Sequence, residues 1–125
     1  MKIEVSNGEI VDKYTILVIK SERINDKDKL RNINKELKSL ERALKKMQFS
    51  PADLMDLISI NDQLWIVEDK LREMESNNTF DERFIELARS VYKLNDKRAE
   101  IKKKINISTG SLLIEEKSYI CTKCE

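Results

Sequence analysis

Two cysteines at the C-terminal end of the chain are the first residues that could do chemistry. Cys121 and Cys124 stand in the sequence CTKC. Two thiolates at this spacing can supply half of a zinc site or act as a dithiol redox pair. The chain has no histidine and no other cysteine, so a single chain cannot supply four soft ligands. We therefore expect free thiols and no cofactor, with a zinc ion shared between two chains as the weaker alternative.

Arg98 is the second candidate, because it occupies a position in an apolar stripe that an aliphatic residue should fill. A partly buried guanidinium needs a carboxylate or several carbonyl groups, since an unpaired buried charge is strongly destabilising. Four sources of a carboxylate fit the sequence: Asp62, Glu68, Asp12 and the Glu115–Glu116 pair. The position of Arg98 therefore predicts a polar cluster inside a helical protein.

Helices must position these groups, because the chain has only two glycines and one proline in 125 residues. Apolar residues recur in alternating three- and four-residue steps, the heptad spacing of helices that pack at a shallow angle, as in a coiled coil. We predict four helices, over residues 7–24, 27–47, 51–75 and 80–106. Short connections favour antiparallel neighbours. The sequence thus predicts an all-α antiparallel bundle in which helices 3 and 4 form a long hairpin.

Capping residues mark where each helix should begin. Ser6 with Glu9, and Thr79 with Glu82, have the spacing of a capping box, in which each side chain bonds a free backbone N–H. Ser50 comes directly before the single proline, a favoured arrangement at a helix start. We expect Asp26 to cap the second helix.

Antiparallel pairing of helices 3 and 4 sets Asn61 opposite Asn95, close to Arg98. One interpretation is a polar layer of Asn61, Asn95 and Arg98 that fixes register and helix pairing. The alternative is an enzyme-like pocket in the seam between these helices that binds an anion or another small molecule. Its ligand-binding residues would be Trp65, Glu68, Tyr92, Asn95 and Arg98. The polar layer is the favoured interpretation, and an enzyme the less favoured one.

Helix 1 has a broad apolar face and a smaller apolar spot among its charged residues. Ile16 and Ile19 form this spot, beside Asp12 and Arg23. The rest of the chain could cover the spot, or a second subunit could. Ile16, Ile19 and Arg23 are therefore our candidate interface residues.

The last fifteen residues have more apolar content than a free tail should have. Gly110 is expected to end helix 4, after which the chain reverses. We predict a single domain, in which residues 1–110 form the bundle and residues 111–125 form a C-terminal arm docked on it.

Composition excludes some partners. Lys and Arg number 24 against 23 Asp and Glu, so the net charge of +1 gives no field that would attract nucleic acid. No apolar run approaches the roughly 20 residues of a membrane span, and the N-terminal residues do not have the pattern of a signal peptide. We expect a cytoplasmic protein that binds neither nucleic acid nor membrane.

Four stretches carry a resemblance to a known family: KIEVSNGEIVDKYTILVIKSERI, LWIVEDKLR, FIELARSVYKLNDKRAEIKKKIN and GSLLIEEKSY. With them the chain resembles an uncharacterised family of short helical proteins from bacteria and their tailed phages. The resemblance implies a related fold, no established activity and, for a phage-encoded member, the host cytoplasm. The terminal CTKCE is not part of that pattern. We expect a small helical interaction or assembly module, a homodimer joined through apolar helix faces or bound to another protein.

Overall fold

The computed structural model describes residues 1–120, which fold into four α-helices and contain no strand. The helices are α1 (Asn7–Arg23), α2 (Lys27–Leu44), α3 (Pro51–Ser76) and α4 (Glu82–Thr109). The predicted all-α bundle is confirmed, including the long antiparallel hairpin of α3 and α4. The predicted thiol or zinc chemistry of Cys121 and Cys124 lies outside the described residues.

Side-chain caps start the helices. The hydroxyl of Ser6 accepts a hydrogen bond from the backbone N–H of Glu9 at 3.1 Å, and Asp26 caps Lys29 at 2.9 Å. The predicted cap of α4 is wrong. The carboxylate of Asp81, not Thr79, accepts the N–H of Phe84 at 3.1 Å. A carboxylate at this place also complements the helix dipole, so α4 begins at Glu82.

α1 lies at the centre of the bundle, packed on α2, α3 and α4. Because it has three neighbours, α1 is buried on several sides rather than along one arc. Ile19 is only 3% exposed within the single chain. Ile19 is therefore the one of the three predicted interface residues that the chain itself covers almost completely. Ile16 is half-buried and Arg23 is exposed.

Two apolar clusters form the core. Val11, Leu57 and Ile105, all at 0% exposure, join α1, α3 and α4 at one end of the bundle. Ile60, Leu64 and Leu94 extend the core along the hairpin. Burial then stops, since no described residue of α3 beyond Leu64 or of α4 before Leu94 is buried. We call residues 65–93 the distal hairpin.

The chain reverses after α4 at Gly110, whose positive φ of 65° ends the helix. The backbone N–H of Ser111 bonds the carbonyl of Asn106 at 2.8 Å, and the Ser111 hydroxyl accepts the N–H of Asn7 at 2.9 Å. Residues 111–120 then run back along α4 as the predicted docked arm. Lys103 pairs with Glu116 at 2.9 Å, whereas Ile120 remains 91% exposed. Polar contacts thus hold much of the arm.

None of the helices within residues 1–120 combines the length and the apolar character that crossing a membrane requires.

Candidate functional site

A buried carboxylate, Asp12 on α1, is the centre of the most polar part of the interior. It is 1% exposed and accepts two hydrogen bonds from Arg98 on α4. Nε of Arg98 donates to Oδ1 at 2.9 Å, and Nη2 donates to Oδ2 at 2.5 Å. This fork-to-carboxylate geometry is among the strongest hydrogen-bonded arrangements in proteins. Asp12 is therefore the partner among the four carboxylate sources that the sequence left open.

Asn61 on α3 completes the cluster. Its Nδ2 donates to Oδ1 of Asp12 at 2.9 Å and lies 2.8 Å from the hydroxyl of Thr15. That hydroxyl donates in turn to the carbonyl of Asp12 at 2.7 Å. Asn95 is more distant, since its Oδ1 lies 3.5 Å from Nη1 of Arg98. The structure thus brings Asn61, Asn95 and Arg98 together, around a carboxylate that joins three helices rather than two.

The cluster neutralises its own charges. The hydrogen bond to Asp12 raises the pKa of the Arg98 guanidinium; burial opposes this rise, and the negative charges of Asp12 and Glu9 add to it. Nζ of Lys102 lies 2.6 Å from Oε2 of Glu9 and 3.9 Å from Oδ2 of Asp12. Among the described residues no buried side-chain nitrogen or oxygen lacks a partner. The face of the Arg98 guanidinium that carries Nε and Nη2 is therefore already occupied by Asp12.

Gly8 lets α1 approach α4 beside this cluster. Its backbone N–H donates to Oδ1 of Asn106, a side chain that is 1% exposed, at 2.5 Å. A Cβ at Gly8 would overlap the backbone carbonyl of Lys102. The absence of a side chain here is therefore what sets the distance between the two helices.

Sequence reasoning missed the central role of Asp12, which it placed on the charged side of helix 1. A signal was available in the spacing. Gly8, Asp12, Thr15 and Ile19 follow one another in steps of four, three and four, and all four are buried. A stripe in which a glycine and an isoleucine share the helix face of Asp12 and Thr15 marks a second packed face.

The predicted ligand-binding residues do not form one pocket. Trp65 lies against Arg23, whose guanidinium carbon is 5.8 Å from the centre of the ring. Tyr92 and Asn95 line a hollow beside the arm, together with Lys117 and Tyr119. The structure therefore separates these three residues from Glu68, and Arg98 is engaged by Asp12.

Glu68 lines a groove of about 610 Å³ on the distal hairpin. On the α4 side the wall is apolar, formed by Phe84, Ala88 and Val91. The α3 side contributes Leu71 and Ser76 together with charged residues, Glu68, Arg72 and Glu75. This groove continues the surface on which α1 lies, because heptad spacing places Glu68 on the same face as Asn61, and Val91 on the same face as Arg98.

These features define the protein as an all-α bundle with a buried polar layer and an uncovered hairpin end. The chain belongs to a family of unknown function, DUF6165, whose model matches residues 1–124. No curated protein and no solved structure matches the chain. The match agrees with the predicted resemblance to an uncharacterised family, while a bacterial or phage source stays a prediction.

Proposed function

We propose that the protein is a small helical assembly module that forms a homodimer through the distal hairpin. The observation that carries this proposal is the end of burial along α3 and α4. Both helices keep their apolar spacing to the tip, yet their last buried residues on the way to the tip are Leu64 and Leu94.

The physical reason is that two helices alone cover only one side of each apolar stripe. Outside the distal hairpin, α1 covers the remaining side. Along the distal hairpin no other described helix takes the place of α1, and only the end of the arm approaches it, where Tyr119 and Ile120 line a hollow with Val91 and Tyr92. On the open side the groove leaves Leu71, Phe84 and Val91 only half-buried and Ala88 exposed. Exposed apolar surface on this scale favours association.

A second copy is the partner that we propose for this surface. Closed, two-fold symmetric dimers are the commonest oligomers of soluble proteins, and two such hairpins packed face to face would complete a four-helix arrangement. The predicted interface residue Arg23 fits this location, because its contact with Trp65 lies where the distal hairpin begins. The polar layer then acts within one chain and fixes how α1, α3 and α4 meet.

The enzyme-like alternative has less support. The guanidinium of Arg98, which would have held an anion, is already paired with Asp12 through both carboxylate oxygens. Of the other residues proposed for that pocket, Asn95 lies near Arg98, whereas Trp65, Glu68 and Tyr92 lie in separate places. We therefore favour assembly over ligand binding in the seam of α3 and α4.

Light scattering over a range of protein concentrations tests the proposal. The wild-type chain is expected to have the mass of two chains, and Ala88→Glu the mass of one. Ala88 is exposed and lines the groove, and glutamate is a good helix former, so the fold of this variant should persist. Circular dichroism would verify that its helix content is unchanged.

Ala52→Glu is the matched control, because Ala52 is also an exposed helical alanine but lies at the other end of α3. This variant should remain a dimer. A wild-type protein that has the mass of one chain at every concentration would overturn the proposal, as would a dimer that survives Ala88→Glu.

A further inference from the structure

We infer that the second copy lies antiparallel to the first, with the tip of its distal hairpin against the turn between α1 and α2. This inference rests on the proposed function, since it specifies how the two copies would meet. Shape and charge each support it.

The shape of the molecule has a step. α1 ends at Arg23, which pairs with Asp62 at 2.5 Å and lies over Trp65. From that point to Ser76 the α3 helix extends for about 18 Å, at 1.5 Å per residue, without α1 beside it. An antiparallel copy would lay its own distal hairpin in this space, so that its tip reaches the step. A parallel copy would instead place tip beside tip and turn beside turn.

The charges of the tip and of the turn are opposite. Residues 72–83, at the tip, contain four acids and two bases, a net charge of −2. Residues 20–31, at the α1–α2 turn, contain five bases and three acids, a net charge of +2. All six charged residues of the tip are exposed. The antiparallel arrangement therefore brings unlike charges together at both ends of the interface, whereas the parallel one opposes like charges.

Charge reversal tests the orientation. The tip variant is Glu73→Lys/Glu75→Lys and the turn variant is Lys27→Glu/Lys29→Glu. All four positions are exposed. Each reversal suits its helix, because lysines near the end of α3 and glutamates near the start of α2 complement the helix dipoles. Loss of the dimer would thus not come from loss of a helix.

Each variant alone should raise the dimer dissociation constant by about tenfold at low salt, because several exposed like charges then meet at both ends. An equal mixture of the two variants should form a heterodimer with nearly wild-type affinity. All four changes in one chain should restore the homodimer as well. Restoration in the chain with all four changes carries the inference, because the mixture would bring unlike charges together in a parallel heterodimer as well, whereas the four changes leave like charges opposed in a parallel homodimer. Weakening by the tip variant alone does not decide the orientation, because Glu75 also lines the groove.

Lys45→Glu/Lys46→Glu is the matched control, with the same change in charge at the far end of α2. Its dissociation constant should be unchanged. A wild-type dimer that Ala88→Glu disrupts, but that neither reversal weakens or whose affinity the mixture does not restore, would overturn the antiparallel arrangement and leave the proposed function standing. A wild-type monomer would overturn both.

Discussion

Asp12 and Arg98 meet through two hydrogen bonds, of 2.9 and 2.5 Å, at the level where α1 crosses the hairpin of α3 and α4. The side chain of Asp12 is 1% exposed and that of Arg98 is 28% exposed. The pair therefore lies between core and solvent, with its acidic partner fully inside. Asn61 ties the same carboxylate to α3. This arrangement fixes the rotation of α1 relative to both helices of the hairpin.

Removing the guanidinium should be costly. We expect Arg98→Ala to lower the free energy of unfolding by about 3 kcal/mol, because it leaves the buried carboxylate of Asp12 without its main partner. Urea denaturation measures the loss. Arg89→Ala, at an exposed position of the same helix, should change stability by no more than about 0.5 kcal/mol. Equal effects of the two variants would contradict this account of the pair.

Replacing both partners should cost less than replacing one. Apolar side chains of similar volume often substitute for a buried ion pair without loss of stability. The double variant Asp12→Leu/Arg98→Met should therefore recover at least half of the stability that Arg98→Ala loses. A double variant less stable than Arg98→Ala would show instead that hydrogen bonds to Asn61 and Thr15 dominate the cluster.

A methyl group at Gly8 should be destabilising, although alanine normally favours a helix. Its Cβ would overlap the carbonyl of Lys102 and would lie 2.9 Å from Oδ1 of Asn106. α1 would have to move away from α4, at a cost of about 2 kcal/mol for overpacking. Thermal unfolding of Gly8→Ala tests this. At Gly110 no atom of residues 1–120 lies within 4 Å of an added Cβ, so Gly110→Ala should show only the strain of its positive φ.

Lowering the pH should release the C-terminal arm from the bundle, because protonation of Glu115 weakens its contacts. Burial alone would raise the pKa of this carboxyl, but hydrogen bonds from Ser6 and Asn106 and the charge of Lys102 outweigh burial, so the pKa lies below its ordinary value of 4.5. A carboxyl whose pKa is lowered by folding stabilises the docked state above that ordinary value. This contribution is lost as the pH falls through the lower pKa of the folded state.

Amide hydrogen exchange of residues 111–120 would follow the release, with protection expected to fall below about pH 4.5 after correction for the intrinsic rate. Glu115→Gln removes the titrating group and should abolish this part of the pH dependence. An unchanged profile in that variant would assign the release to another group.

The fold was predictable because long heptad stripes determine both the number of helices and their core faces. Leu64 illustrates this, since it follows Leu57 and Ile60 in the heptad spacing of helix 3 and is 9% exposed. The details of the polar cluster around Asp12 were not predictable from the sequence, because they depend on tertiary neighbours. A helical wheel with one core face puts Asp12 in solvent, whereas α1 has three helical neighbours and buries it.

The same limit explains the scattered pocket residues. Spacing along α3 and α4 predicts which residues share a level of the hairpin, but not which third element lies against each face. Arg98 faces α1, whereas Tyr92 and Asn95 lie beside the arm. Residues that the sequence predicted to line one seam between α3 and α4 therefore have different neighbours in the fold.

The uneven burial along the hairpin leads to a final prediction about the free energy of unfolding, best measured in the Ala88→Glu variant, which is expected to be monomeric. Leu57→Ala should lower the free energy of unfolding by about 3 kcal/mol, because Leu57 is 0% exposed among α1 and α4 residues. Leu71→Ala, the same change on the same helix, should lower it by about 1 kcal/mol or less, since its site is half-open and can admit water. Comparable losses would mean that the distal hairpin is as well packed as the base. A dimer interface there would then have no unburied apolar surface to cover, so this comparison tests the premise of assembly without requiring that any dimer be observed.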